Sequence, residues 1–220
     1  MFEIRKRVRL PHWDTDSGAY FVTFNLVDAM PAEFREELKA ERRMRIAELE
    51  RLKQRVAPSE LHAIDLIIQE RAEEFLDRGS GACLMRDPRI ADLVAKALAY
   101  FDEVRYLLFA WTVMPNHVHV VFNAYEPIDT ILHSWKSFTS KRANQLLGRE
   151  GKFWQDDYFD RTIRNPEEFA RTIRYVLENP TKANLTNWQW VRVYSDRLQS
   201  PGGTPSDCGR DARSPRRNRV

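Results

Sequence analysis

The sequence predicts an α+β fold built around an antiparallel sheet. Residues 19–27 and 106–113 are runs of β-branched and aromatic side chains, the composition of buried or half-buried strands. Met114-Pro115-Asn116 is a turn short enough to join the second run to 117–122 only as an antiparallel hairpin. Around these runs lie long blocks rich in Glu, Arg, Ala and Leu, which are strong helix formers.

Residues 1–17 are basic, are broken by Pro11, and read as an arm, with His12-Trp13 plugging the domain edge or touching a partner. After the first strand, Pro31 to Arg78 reads as two helices, about 32–55 and 59–77, divided by Pro58 and closed by Gly79-Ser80-Gly81. The first has few large apolar residues and many i, i+4 charge pairs, so the stretch 32–78 is expected to be a helical insertion or arm with a solvated face, the alternative being a helix that lies along a nucleic acid. Asp87-Pro88 supplies an N-cap and an N1 proline for a third helix, whose apolar stripe is Ile90, Leu93, Val94, Ala97 and Leu98. Residues 128–147 form an amphipathic helix ended by Gly148, with Ile131, Leu132, Trp135, Phe138 and Leu146 on one face and Arg142 at its rim. The aromatic stretch 153–160 reads as extended. Asn165-Pro166 starts a last helix, expected to stop before Pro180, and 188–191 is a small edge element. The domain is expected to span 18–195. From 196 to 220 the chain lacks core formers, and a disordered basic tail is expected.

Composition narrows the function. No apolar run approaches the ~18–20 residues needed to span a bilayer, and the N-terminus has no signal-peptide core. Two distant cysteines exclude a disulfide framework, which makes a reducing, cytoplasmic setting the expectation. The net charge is only +3, and the tail from Asp196 carries six arginines against three aspartates. The rest of the chain is therefore balanced, and any nucleic-acid surface must be local. The 128–147 helix offers one: Lys136, Lys141 and Arg142 are interleaved with Ser137, Thr139 and Ser140, residue types that contact phosphate oxygens, although an ordinary solvated helix face has the same look.

The chemistry centres on Met114-Pro115-Asn116-His117-Val118-His119. Strand alternation puts His117 and His119 on one face and Val118, Val120 and Phe122 on the other. Two imidazoles side by side make half of a metal site. In the last helix Phe169, Ile173, Val176 and Leu177 share a face, whereas Tyr175 lies off that stripe with Asn179 one turn above it. Two imidazoles and an amide oxygen suit a divalent ion with open positions, and a tyrosine hydroxyl can serve as a nucleophile. Together they suggest phosphoryl transfer through a phosphotyrosine. A His-x-His strand also occurs in cupins and hydrolases, so a different metal hydrolase is an alternative, but no obvious motif supplies its remaining carboxylate ligands.

Four blocks in order resemble the IS200-type single-tyrosine transposases of the HUH endonuclease superfamily, and most of all their REP-associated subgroup: 111–120, 131–139, 153–160 and 173–183. The resemblance implies a ferredoxin-like core, an antiparallel sheet with helices on one face. It implies that His117 and His119 bind Mg²⁺ or Mn²⁺, that Asn179 sits where relatives place a third polar ligand, and that Tyr175 is the nucleophile. It further implies single-stranded DNA carrying a hairpin as substrate, a 5′-phosphotyrosine with a free 3′-hydroxyl, and action as a monomer or homodimer. Aromatics such as Trp135, Trp154 and Tyr158 are available to stack on unpaired bases, Trp135 more as a core residue; His133 has no evident partner. A protein of this fold that binds DNA or RNA hairpins without cutting them is the second reading.

Overall fold

A computed structural model describes residues 19–52 and 55–198. The expected arm at 1–17 and the tail beyond 198 lie outside the described residues. Five strands, β1 (Ala19–Asn25), β2 (Tyr106–Val113), β3 (His117–Ala124), β4 (Phe159–Thr162) and β5 (Val191–Val193), form one sheet in the order β4-β1-β3-β2-β5, antiparallel throughout. Five helices surround it: α1 (Ala32–Leu52), α2 (Pro58–Asp77), α3 (Pro88–Ala99), α4 (Ile128–Leu147) and α5 (Pro166–Lys182). The α+β class and the β2–β3 hairpin are as expected.

Alternation along the strands sorts the core into two layers. Val22 and Phe24 of β1, Tyr106 and Leu108 of β2, and Val118, Val120 and Phe122 of β3 pack with Val94 and Leu98 of α3 and Ile131, Leu132 and Trp135 of α4. On the opposite face Phe21, Phe109, Ala110 and Val121 pack with Phe169, Ile173 and Val176 of α5. A bulge between Leu108 and Ala110 switches the parity of β2, so that Ala110 joins Phe109 on the α5 side and Trp111 and Val113 return to the α3–α4 side. Helices are expected on one face only; instead α3 and α4 cover one face, and α5 covers the other, the histidine face, because both faces of the sheet carry apolar residues that must be buried.

Local chemistry fixes the helix ends. The Asp87 side chain accepts from the Arg89 N–H at 2.9 Å to cap α3, and Asn165 accepts from Glu168 at 2.8 Å to cap α5. Gly148, at φ 60°, ends α4 in the left-handed region. Gly81, at φ +87°, closes the turn after α2 so tightly that a Cβ there would lie 2.8 Å from the Asp28 carbonyl oxygen. Two boundaries differ from expectation. First, α5 runs through Pro180 to Lys182, because in the last turn proline forfeits only one backbone bond and Ala183 N–H still reaches the Asn179 carbonyl at 3.0 Å. Second, Arg197, counted with the tail, ion-pairs with Asp102 at 2.9 Å and donates to the Leu108 carbonyl at 3.0 Å, so the chain is still anchored there.

The stretch expected to be an insertion is part of the fold. Ile64, Ile68, Ala72 and Leu76 of α2 are buried in the main core. α1 is tied to α2 by stacked Phe34 and Phe75, by Arg42–Asp65 at 2.7 Å, and by the Arg71–Glu41 pair. The last two turns of α2 bring Glu73 to Thr23 and Asp77 to His117.

Candidate metal and tyrosine centre

His117 and His119 are fully buried, and their Nε2 atoms stand 3.0 Å apart. The partners of their Nδ1 atoms set the tautomers. The Asn116 amide nitrogen donates to the carbonyls of Leu76 and Ser80, both at 3.0 Å, so its oxygen faces His117 Nδ1 at 2.7 Å and accepts a proton-bearing nitrogen. The Thr23 hydroxyl donates to Glu73 at 3.3 Å, which leaves its oxygen to accept from His119 Nδ1 at 2.8 Å. In the neutral rings each Nε2 therefore carries the lone pair. Asp77 adds a carboxylate oxygen 3.4 Å from His117 Nε2. Burial, reinforced by the neighbouring His117, holds His119 well below the usual histidine range and keeps it neutral.

Three lone-pair donors thus converge within 4.8 Å of one another. Acceptors cannot satisfy one another, whereas a cation satisfies all three. Two ligands at right angles about an ion at ~2.1 Å stand ~3.0 Å apart, which is the spacing of the two imidazoles. Hydrogen-bonded outer nitrogens are the usual support of metal-binding histidines. The donor set fits a divalent ion.

Asn179, also fully buried, places Nδ2 3.4 Å from His119 Nε2 and 3.3 Å from Asp77, while its Oδ1 is buried without a hydrogen-bond partner. A half-turn of the amide exchanges the two atoms. Tyr175 packs edge-on against His119, with ring centroids 5.2 Å apart, and against Phe21 at 5.9 Å, with the Lys182 ammonium 5.3 Å from its ring centre. Its hydroxyl is buried and unpartnered among the described residues. Burial, then the charges of Glu73 and Asp77, push its pKa far up. The structure therefore brings together His117, His119, Asn179 and Tyr175.

It adds Asp77, Glu73, Thr23, Asn116 and Lys182, which sequence reasoning missed. Asn116 sat in the quoted motif, but its role depends on carbonyls of another element. Asp77 and Glu73 were hidden in a helix whose polar residues all look solvated by periodicity.

The residues expected to meet nucleic acid divide. Lys141 and Arg142 are exposed on α4, beside the exposed Phe138. Lys136 instead donates to the carbonyls of Gln155, Asp156 and Asp157 at 2.9, 3.1 and 3.2 Å, and burial lowers its pKa to about 8. Its ammonium holds a loop and is not presented to a phosphate. Trp154 is buried against Phe24, and its ring nitrogen donates to Thr139 at 2.8 Å, so it packs the core and offers no face to a base. Phe138 and Leu146, expected in the apolar stripe, are about half exposed. The α4 surface and the histidine pair lie on opposite faces of the sheet.

Residues 87–179 match the family described as Transposase IS200 like. A REP-associated tyrosine transposase of Escherichia coli (strain K12) is 28% identical over 87 residues, covering 40% of this chain and 48% of that protein. A ribose-5-phosphate isomerase A of Prochlorococcus marinus is 27% identical over 136 residues, covering 56% and 59%. The chain thus spans about half the length of the curated relatives it matches. Among solved structures, a REP-associated tyrosine transposase bound to a REP hairpin aligns with a TM-score of 0.43 and 15% identity, covering 80% of this chain and 76% of that one. The two relatives' names differ, but the family match falls on the stretch that holds His117, His119, Tyr175 and Asn179. That match covers residues 87–179, less than half of the chain, and says what this stretch is similar to.

Proposed function

We propose that the protein is a metal-dependent endonuclease and strand-transferase for single-stranded, hairpin-forming DNA that works through a 5′-phosphotyrosine. The observation that carries this is the approach of Tyr175 and Asn179, on one face of α5, to the lone-pair cluster of His117, His119 and Asp77. Asp77, His117 and His119 would hold the divalent ion, Mg²⁺ or Mn²⁺, and a half-turned Asn179 would give its orphaned oxygen a role there. Bound in this place, the ion supplies Lewis-acid polarisation of a phosphoryl oxygen. The Tyr175 oxygen attacks phosphorus and the DNA 3′ oxygen departs, leaving a covalent adduct that the 3′-hydroxyl of the same or another strand can reverse. Lys182, exposed above the tyrosine ring, is placed to meet the scissile phosphate, whereas Lys141 and Arg142 serve the duplex stem or flanking strand on the α4 side.

No helix among the described residues is long and apolar enough to cross a membrane. The proposal places the protein in the cytoplasm, associated with the nucleoid when bound to DNA, and acting as a monomer or a homodimer.

Incubation of a labelled hairpin oligonucleotide with Mn²⁺, followed by a denaturing gel, tests the reading. Tyr175→Phe is expected to retain hairpin binding and to lose the covalent band; an undiminished band in that variant sinks the assignment. A hairpin-binding protein that does not cut is the second reading. It is favoured by the burial of the Tyr175 hydroxyl and supported if the unaltered chain binds the hairpin and forms no adduct.

A further inference from the structure

We propose that Glu73 is the proton acceptor for Tyr175 in strand cleavage, a role that rests on the phosphotyrosine reading above. Glu73 lies on α2, outside the stretch that matches the family, and the metal cluster does not use it. It is only 8% exposed. Gln69 donates to its Oε1 at 2.9 Å and Thr23 at 3.3 Å, so two fixed donors orient the carboxylate and Oε2 remains to meet a third. Thr23 bonds both Glu73 and His119, at 3.3 and 2.8 Å, and the Tyr175 ring packs edge-on against that His119, which brings beside Glu73 a buried hydroxyl with no partner among the described residues. A buried phenol without an acceptor is costly, and catalytic hydrogen bonds often tighten only when substrate arrives.

The surroundings suit a shared proton. Gln69 on α2, Thr23 on β1 and Tyr175 on α5 face Glu73, and Arg161 on β4 bears on it electrostatically while its guanidinium bonds Glu168 at 2.7 Å. Tyr175 in turn faces Asp77 on α2, His119 on β3, and Asn179 and Lys182 on its own helix. Burial raises the Glu73 carboxyl to about 7, which lets it take and return a proton near neutral pH.

In the step itself, the Tyr175 O–H bond breaks as its oxygen bonds to the phosphorus of a DNA phosphodiester. The proton passes to Glu73. The P–O3′ bond breaks, and the departing 3′ oxygen takes a proton from water. In rejoining, a 3′-hydroxyl gives its proton to solvent as its oxygen bonds to the phosphorus, the bond between phosphorus and the tyrosine oxygen breaks, and Glu73 returns its proton to that leaving oxygen.

The test is single-turnover adduct formation on a hairpin oligonucleotide with Mn²⁺, from pH 5.5 to 8.5. The unaltered protein is expected to show a rate that rises through an inflection near 7. Glu73→Gln is expected to run ~100-fold slower and to lack the inflection, with hairpin and Mn²⁺ affinities unchanged within about twofold. Placing 3,5-difluorotyrosine at 175, whose hydroxyl gives up its proton more readily, is expected to recover at least ~10-fold of that loss in the Glu73→Gln background. A Glu73→Gln variant with the normal rate and pH profile overturns the proposal, as does a slow variant that difluorotyrosine fails to rescue. If Glu73→Gln no longer binds the hairpin, difluorotyrosine in the otherwise unaltered chain decides: a weakened pH dependence supports the assignment, and an unchanged one overturns it. An unaltered protein that makes no adduct overturns the cleavage reading and this assignment together, whereas the outcomes above separate the two.

Discussion

Asn116 does for His117 what Thr23 does for His119: each accepts a hydrogen bond from Nδ1–H, which keeps the proton there and leaves a lone pair at Nε2 of the neutral ring. Asn116→Ala removes that acceptor, and Mn²⁺ affinity measured by titration calorimetry is expected to fall about 10–100-fold; an unchanged affinity would falsify the tautomer argument. Glu73 gives a second expectation at this scale. Its carboxyl is raised from 4.5 to about 7 on folding, so the folded state holds the extra proton between those values. The stability this contributes is present below about 4.5 and is lost as pH rises through 7. Glu73→Gln should therefore be more stable than the unaltered chain at pH 8, by up to roughly 3 kcal/mol, and show no gain at pH 4.5. His119 works in the other sense, since its depressed pKa removes stability as pH falls below 6.5, but it does so in both proteins and cancels from the difference. Urea midpoints at the two pH values decide, and an equal shift at both would mean that the gain is packing and not ionisation.

Among elements, α4 separates two kinds of lysine. Lys136 is expected to matter for stability: Lys136→Met strips a charged donor from three loop carbonyls and should cost ~1.5–3 kcal/mol in urea unfolding while changing hairpin affinity little. Lys141→Ala with Arg142→Ala should leave stability nearly untouched and lower hairpin affinity, with a salt slope shallower by roughly 0.7 for each phosphate that is no longer neutralised. The reverse pattern would return Lys136 to the binding surface. The element boundaries show why one reading succeeds and another fails. Asp87-Pro88, Asn165-Pro166 and Gly148 announce themselves because capping is local chemistry, written in adjacent residues. The end of α5 departs from expectation because Pro180 removes only its own backbone bond, and Ala183 beyond it still reaches the Asn179 carbonyl. Trp154 and Phe138 exchange their expected exposure because composition says that a residue is aromatic and not which side of α4 the 153–158 loop crosses.

Across the whole molecule, the sheet separates an outer basic surface on α4 from the buried histidine–tyrosine cluster under α5, and α2 closes that cluster from the side. The histidine strand, the tyrosine helix and their shared face could be read from period-two and period-3.6 patterns. The third donor could not, because Asp77 meets His117 only once α2 has docked across a sequence separation of 40. The Asn116 clamp has a temporal consequence. The β2–β3 hairpin closes a short loop and can form early, but Asn116 binds Leu76 and Ser80 across sequence separations of 40 and 36, and such contacts follow slower loop closures. Until they form, His117 has no fixed tautomer and Asp77 is absent. The proposed ion site is thus expected to form late in folding. A bound metal should lengthen the lifetime of the native state, slowing unfolding by stopped-flow fluorescence, while leaving the rate of folding nearly as it was.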